Sequence, residues 1–479
     1  MAITSATGID AAPRKQTLST NYVDFTSSSD GWAQQYLPDL MEKEAEIYGK
    51  RTISGFLAQV GAEEPSAADR VVWSEQGRLH LAYKATNEDV SANIFTITED
   101  IDGNTIDGST DNVHGIRVGD MVLVSSASLT LRGYVSAVNS TTATILPYAE
   151  ANFDTAGFSD SAGASAYRIL VIGSEFEKGT DGRSAANSPK FKSYQNKHII
   201  MKDYYEVSGS DTTSIGWVEI SGEEGQNGYL WYLKAEGDTR ARFTDYLEMT
   251  MLEAETANAN AGAIGGTDGG ALQDGTQGLF QAITTRGHQT TGVTGVNAAT
   301  DLAEFDAILA VFDANGAIEE NMMFVNRSTS LAMDDMLASM NSYGAGGTSY
   351  GVFDNEEDMA LNLGFSGFRR GSYDFYKSDF KYLNDKGTRG GLNDTVTNIR
   401  GVIIPAGVSS VYDEQLGKNL KRPFLHVRYR QSETESRKMK SWVTGSVGAA
   451  TSGKDVMEIH YLTERCLITQ GANNFMLMN

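Results

Sequence analysis

The feature that most restricts this fold is an interruption. Residues 87–174 are rich in Asp, Asn, Ser, Thr and Gly. Their short apolar runs, "GIRVGDMVLVSS", "LTLRGYVSAVN" and "TTATILPY", break off roughly every eight to ten residues. Val118, Met121 and Leu123 precede Leu129, Leu131, Tyr134 and Val138. Short strands at even spacing are the pattern of a small antiparallel barrel. The flanks are extended but differ in texture. In "RVVWSEQGRLHLAYK", Val71 and Trp73 lead to a Glu-Gln-Gly turn, after which Leu79, Leu81 and Tyr83 share a face. That predicts a two-stranded ribbon, which alone is marginal in water and needs cover. Beyond the module, "SYQNKHIIMKDYYEVSGS" alternates Ile199, Met201, Tyr205 and Val207.

The period then changes. From Gln226 to about Glu255 there is no proline, and Tyr229, Leu233, Phe243, Tyr246, Leu247 and Thr250 fall on one face. This predicts a helix of about 28 residues, about 42 Å long at 1.5 Å per residue. Arg240, Arg242, Asp245, Glu248 and Glu253 make its other faces polar. Residues 257–300 read mainly as loop. An α/β unit follows: Asp301 and Glu304 as a capping pair, then Leu302, Phe305, Ile308, Leu309 and Phe312 at helical spacing. "NMMFVN" reads as a buried strand, and Met333, Met336, Leu337 and Met340 as a second helix. "SYDFYKSDF", "GVIIPAG", "FLHVRYR" and "MEIHYLTERCLITQ" complete the strands. At the other end, residues 1–30 have no hydrophobic period and read as an arm ordered only by neighbours. A helix follows near Pro38, with Leu37, Leu40, Met41, Ile47 and Tyr48 on one face.

Charge and chemistry narrow the function. A formal charge of −23 opposes wrapping of nucleic acid, which needs cations to displace phosphate counterions. No apolar run approaches the ~20 residues of a membrane span, and Met1–Lys15 lacks a signal core. The lone Cys466 excludes an intrachain disulfide and reads as a small core residue. "GAIGGTDGGALQDG" is not followed by Gly-Lys-Ser/Thr, so it is no phosphate cradle, and "SGKD" lacks the upstream glycine. Asp100, Asp102 and Asn104 open like a calcium loop, but Thr105 stands at the sixth position and Asp111 at the twelfth. A solvated acidic loop is the better reading. His80, His114, His198, His288, His426 and His460 show no metal-ligand spacing, and His426 alternates with Leu425 and Val427 as if pointing away from a core. No catalytic residue, cofactor site or metal site is expected.

Two clusters read instead as contact surfaces. "GFRRGSYDFY" packs Phe368, Arg369, Arg370, Tyr373, Phe375 and Tyr376 together, and aromatic and Arg side chains are enriched at interfaces. "HVRYRQSETESRKMK" alternates cations with polar groups, so its outward face could meet acidic neighbours. An ordinary strand with a charged solvent face is the competing reading of each.

The order of parts resembles the major capsid (major head) proteins of tailed bacteriophages with the HK97-like capsid fold, in the subgroup whose E-loop carries a β-domain. Three stretches carry the resemblance: "GIRVGDMVLV" opening the module, "IGSEFEKGTDG" closing it, and "YQNKHIIMKDYYEVSGS" before the helix. "MMFVNRSTSLAMDDML", with Asn326 near the helix start, looks like the family's strand-to-helix step. The resemblance spans most of residues 30–470 and implies an α+β chain. Residues 1–30 would be the N-terminal arm and 31–65 a helical segment. Residues 66–86 and 175–210 would be the E-loop with flanking strands, and 87–174 the inserted small β-barrel. Residues 211–300 would be the peripheral domain with its spine helix, 301–410 the axial domain, and 411–479 the closing strands of the peripheral domain. It also implies a homo-oligomer of pentamers and hexamers closed into an icosahedral head around double-stranded DNA. Portal and other head proteins would be partners, a decoration protein could bind outside, and the DNA would be held without sequence-specific contact. The chain would be made in the host bacterial cytoplasm and end in the virion. Trp73, Leu79, Leu81 and Tyr83 of the E-loop, and Phe368, Arg369, Arg370 and Tyr373, would contact neighbouring subunits. No lysine–asparagine pair can be placed for interchain cross-linking. Two alternatives remain at this point: a β-rich tail fibre or surface-layer adhesin, and a hydrolase with an appended β-module.

Overall fold

The computed structural model describes residues 53, 55–57, 62–89, 91–109, 112–158, 166–183, 191–210, 219–221, 227–257, 275–316, 318–340, 367–393, 398–406, 408–413, 418–446 and 451–479. The expected N-terminal arm and the helix near Pro38 lie outside these residues. In chain order the first strands are β1 (Ala62–Ser66), β2 (Arg70–Gln76), β3 (Ala82–Asp89), β4 (Ile94–Asp100) and β5 (Asp120–Ser125). There follow β6 (Thr130–Val138), β7 (Thr142–Pro147), β8 (Tyr167–Ser174), β9 (Phe191–Lys197) and β10 (Ile199–Ser208). Next come β11 (Glu219–Ser221), β12 (Asn227–Tyr229), α1 (Leu230–Glu253), α2 (Leu279–Arg286), β13 (His288–Thr290), α3 (Ala298–Asn315), β14 (Glu320–Val325) and α4 (Arg327–Met340). The remainder is β15 (Gly367–Arg370), β16 (Tyr373–Asp379), α5 (Lys381–Asn384), α6 (Arg389–Leu392), β17 (Gly401–Pro405), β18 (Val408–Asp413), β19 (Lys418–Pro423), β20 (Leu425–Arg430), β21 (Lys440–Gly445), β22 (Val456–Thr469) and β23 (Met476–Met478). The chain forms two compact units, Val71–Gln195 and a second built from the flanking segments.

In the first unit the strands close into a barrel in the order β3-β4-β7-β6-β5-β8. Strict alternation makes the closure possible. On β5, Val122 and Val124 point inward while Met121 and Leu123 point out, and Val135, Ile145 and Ile169 do the same for their strands. Phe95 fills the middle, edge-on to Phe153 at 4.8 Å and to Tyr167 at 5.7 Å. Gly133 is required because a Cβ there would collide with Ile145. The expected ribbon is corrected. Arg70–Gln76 pairs with β9, not with the segment after its turn, and β3 is instead the first stave of the barrel. The reason is burial: Tyr83 enters the barrel core, and its hydroxyl accepts the Gly115 N–H at 2.6 Å.

The second unit holds two large sheets. One runs β13-β23-β17-β14-β16-β15 and is covered on both faces. Met323, Val325, Ile403 and Met476 pack with Phe305, Ile308 and Phe312 of α3 and Met333, Met336 and Leu337 of α4. Phe324, Val402 and Leu477 face Leu279 and Ile283 of α2, with Met251 and Leu252 of α1. That double burial explains why "GVIIP" is apolar without alternation. Met476–Met478 belongs to this α/β sheet rather than to the sheet of the other closing strands. The other sheet runs β1-β20-β22-β10, with β21 also on β22. β18 and β19, like β11 and β12, form separate pairs.

Local details depart from expectation for physical reasons. In α1 the buried face is Phe243, Leu247 and Met251, while Tyr246 is exposed and Thr250 returns its hydroxyl to the Tyr246 carbonyl at 2.7 Å. Asp245 and Glu248 are not solvent-facing. Asp245 accepts the Ile53 N–H at 3.0 Å, and Glu248 accepts those of Gly55 (2.6 Å) and Phe56 (3.3 Å), so α1 ties down the entering chain. Burial pushes the Glu248 carboxyl above its usual range. In α3 the N-cap is Asn297, accepting from Thr300 N, while Asp301 and Glu304 hold Gly295 and Thr294. Asn326 caps α4 by accepting the Thr329 N–H at 2.8 Å. Helix α2 interrupts the region expected to be loop.

Candidate assembly surfaces

The cation-rich stretch 426–440 finds its acids within its own unit. Arg428 meets Glu64 at 2.7 Å, Arg430 meets Asp69 at 2.9 Å and Glu464 at 3.3 Å, and Arg437 meets Glu464 at 2.8 Å. Lys438 pairs with Glu63, which also takes Arg465 at 3.1 Å. Glu464 and Arg465 are buried neighbours on β22, aimed at opposite faces, so the two halves of the network are stitched by one strand. Arg430, Lys438 and Lys440 still face solvent, 37%, 46% and 43% exposed, while each holds an acid of its own unit. His426, expected to point away from a core, is buried.

What this sheet does expose is aromatic. Tyr204 of β10 and Trp442 of β21 both stand opposite His460 of β22. The imidazole stacks between them, 5.9 Å from the Tyr204 ring and 5.2 Å from the Trp442 ring. Thr444 Oγ1 lies 2.8 Å from His460 Nε2 and helps to fix the ring. Tyr204 is 56% exposed, Trp442 36%, and Ile200 on the same face is also exposed. The opposite face is closed by Met201, Tyr205, Ile459 and Tyr461 against Phe243 of α1. One face is thus a finished core and the other an uncovered apolar platform. An apolar platform flanked by ion pairs such as Lys454–Glu206 (2.8 Å) has the composition of a protein contact.

The residues singled out from sequence separate into two groups. Tyr83 is buried in the barrel core and Leu81 packs against it. Trp73 is buried, with its ring 6.2 Å from Tyr194 and its indole N–H donated to Glu75 at 2.9 Å. Phe368 and Tyr373 pack beneath α3, against Phe305 and Phe312. The Tyr373 hydroxyl donates to Asp313 at 2.6 Å, and burial, reinforced by that carboxylate, pushes it up to about 12. Arg370 clasps Asp306 through two hydrogen bonds of 2.5 and 2.7 Å. These side chains serve their own unit; Leu79, 82% exposed, and Arg369 remain on the surface. The platform of Tyr204, His460 and Trp442 was missed because its members come from three distant segments. The one available signal was the even-numbered face of "IIMKDYYEV", with Ile200 and Tyr204.

No catalytic geometry emerges among these residues. Cys466 is buried, and burial pushes its thiol up to about 12. Asp100 is occupied by Asn104 and Asp102 by Arg78 at 2.8 Å. Among the described residues no group of three His, Cys, Asp or Glu side chains could hold a metal ion, and no helix is long and apolar enough to cross a membrane. His114 has structural importance. It is buried in the barrel beside Tyr83, and burial holds its pKa below the ordinary 6.5 against the opposing pull of the Asn139 and Thr142 backbone. A depressed folded-state pKa means that His114 favours the fold fully above about pH 6.5 and loses that contribution as pH falls. Thermal melts from pH 7.5 to 5 should therefore show a falling barrel transition, and His114→Gln should flatten it. An unchanged slope in that variant removes His114 as the cause.

No protein-family model and no curated protein matches the chain. Solved structures do. The chain is similar to a Microbacterium phage Oxtober96 structure at 9% identity, covering 93% of this chain and 97% of that one, with a TM-score of 0.39. A Gordonia phage Cozz structure matches at 11% identity over 97% and 98%, with a TM-score of 0.38. The capsid structure of cyanophage P-SCSP1u matches at 10% identity over 64% and 80%, with a TM-score of 0.33. These likenesses are loose, and the functional reading rests on the chain's own residues.

Proposed function

We propose that this chain is a non-catalytic shell subunit, the major capsid protein of a tailed phage with the HK97-type plan and a barrel inserted in its E-loop. The observation that carries the reading is the sheet with α1 sealed on one face and Ile200, Tyr204 and Trp442 bare on the other. Covering such a face with a neighbouring copy stabilises by ~25 cal/mol per Å² of apolar surface buried. The sequence resemblance supplies the form: pentamers and hexamers repeating one heterologous contact until the shell closes. An acidic chain suits a container wall that must not grip the DNA it encloses. Portal, decoration and other head proteins are the partners this role entails, and the virion its location.

The test is a charged double variant, Tyr204→Asp with Trp442→Asp, compared with the natural chain by negative-stain microscopy and sedimentation. Truncating a central aromatic anchor costs about 2 kcal/mol or more per contact, and the loss recurs at every copy. The variant should fold, with an unchanged circular-dichroism spectrum, yet yield at least about tenfold fewer closed particles. Shells at the natural yield would remove this face from assembly; fibres from the natural chain would favour the tail-fibre reading, and small discrete particles the enzyme reading.

A further inference from the structure

We propose that β1 is a releasable strap: charge, rather than apolar burial, seats it on the edge of its sheet, and rising ionic strength lifts it off while the strands behind it stay folded. The segment Ala62–Ser66 brings no buried side chain to the sheet. Its neighbour β20 buries Leu425, His426 and Val427 in succession. The backbone of β1 adds little grip. It lies parallel to β20 at an edge, the slightly weaker way of pairing, and Pro65 has no N–H to give to the ladder.

Two acids hold the strap. Glu63 and Glu64 are successive in the strand, so their side chains leave opposite faces of the sheet. On one face Glu64 meets Arg428 at 2.7 Å, and the same guanidinium donates to the Pro65 carbonyl at 3.3 Å. On the other face Glu63 meets Arg465 at 3.1 Å and also Lys438. Water reaches both carboxylates, 31% and 26% exposed, so dissolved ions can screen these pairs. Each end of the strap is fastened separately. Upstream, Phe56 and Leu57 are buried, with Phe56 stacked on Phe380 at 4.9 Å. Downstream, the Asp69 carbonyl accepts the His198 N–H at 3.3 Å. β1 can therefore open as a unit between two anchors without disturbing the core. Opening uncovers the edge of β20 and gives the chain that enters β2 at Arg70 a second, slack state. This inference goes beyond the shell reading and stands or falls without it.

The test is hydrogen exchange of the full chain, followed by mass spectrometry at about 0.05 M and about 1 M sodium chloride. Screening weakens charge pairs and leaves apolar burial in place, so salt separates the strap from the strands behind it. Corrected against the same peptide free in solution, exchange across residues 62–66 should quicken at least about fivefold at the higher salt, with β10 and β22 unchanged. Glu63→Gln combined with Glu64→Gln should show the fast rate already at low salt and lose the response. Should that variant fail to fold, which β22 exchange would reveal, the salt response of the natural chain decides alone. Exchange in 62–66 that ignores salt, that quickens only together with β22, or that keeps its salt response in a folded double variant overturns the proposal.

Discussion

Replacing Arg465 with alanine should lower the stability of the sheet-bearing unit by about 2–4 kcal/mol, the loss of three hydrogen bonds made by a buried cation, while Glu63 stays partly solvated and held by Lys438. Arg465 is buried and makes three contacts: Glu63 Oε1 at 3.1 Å, the Lys438 carbonyl at 2.6 Å and Thr463 Oγ1 at 2.9 Å. Alanine restores none of them and opens a space in β22, the strand that β10, β20 and β21 all use. Burial pulls the guanidinium below its usual range and Glu63 opposes that shift, so the pair depends on its geometry. The measurement is urea unfolding followed at the aromatic signals of this unit. A midpoint shift worth less than about 1 kcal/mol would show that Lys438 alone can satisfy Glu63.

The second large effect is expected at Asn196, the first residue of the returning chain. Its amide is buried and fully used. The NH2 donates to Leu467 O at 2.6 Å and Gln277 O at 3.0 Å, and the oxygen accepts from Gln277 N, Thr276 Oγ1 and Lys197 N at 2.8, 3.1 and 2.9 Å. Asn196→Asp keeps the shape but aims a carboxylate oxygen at two carbonyls. Unpaired buried acceptors cost about 1–3 kcal/mol, and more when one is charged. The sign with pH is fixed: the aspartate's folded-state pKa is raised, so the variant approaches natural stability at low pH and loses it as pH rises. Denaturation of both proteins at pH 4.5 and pH 8 reads the difference. A gap that does not widen between those values contradicts the clasp.

How much of this was legible in the sequence depended on how local each contact is. The barrel could be read because β5–β6 and β6–β7 are tight antiparallel neighbours whose alternation survives in a short window. The long helix could be read from its period, though Tyr246 and Thr250 took the place of Met251 in the expected face. Pairing across distance could not. The turn after Gln76 looked like a hairpin because nothing near it reveals that its true partner, β9, lies beyond the whole module. In "GFRRGSYDFY" the sequence did not show that Phe375, Arg370 and Tyr373 are engaged by Phe305, Asp306, Phe312 and Asp313 of α3, which leaves Arg369 and Tyr376 on the surface. That Arg428 and Arg430 of "HVRYR" are already paired could not be read, because their acids, Glu64, Asp69 and Glu464, are remote in sequence. The aromatic platform was invisible for the same reason.

The most direct test of the shell account is electron microscopy of the purified full-length chain across protein concentration and ionic strength. The account predicts hollow, closed particles of uniform diameter whose formation fails when Tyr204 and Trp442 carry charge. A chain that stays a single folded molecule under every condition, with the Tyr204 and Trp442 rings as open to solvent as they are here, would contradict it.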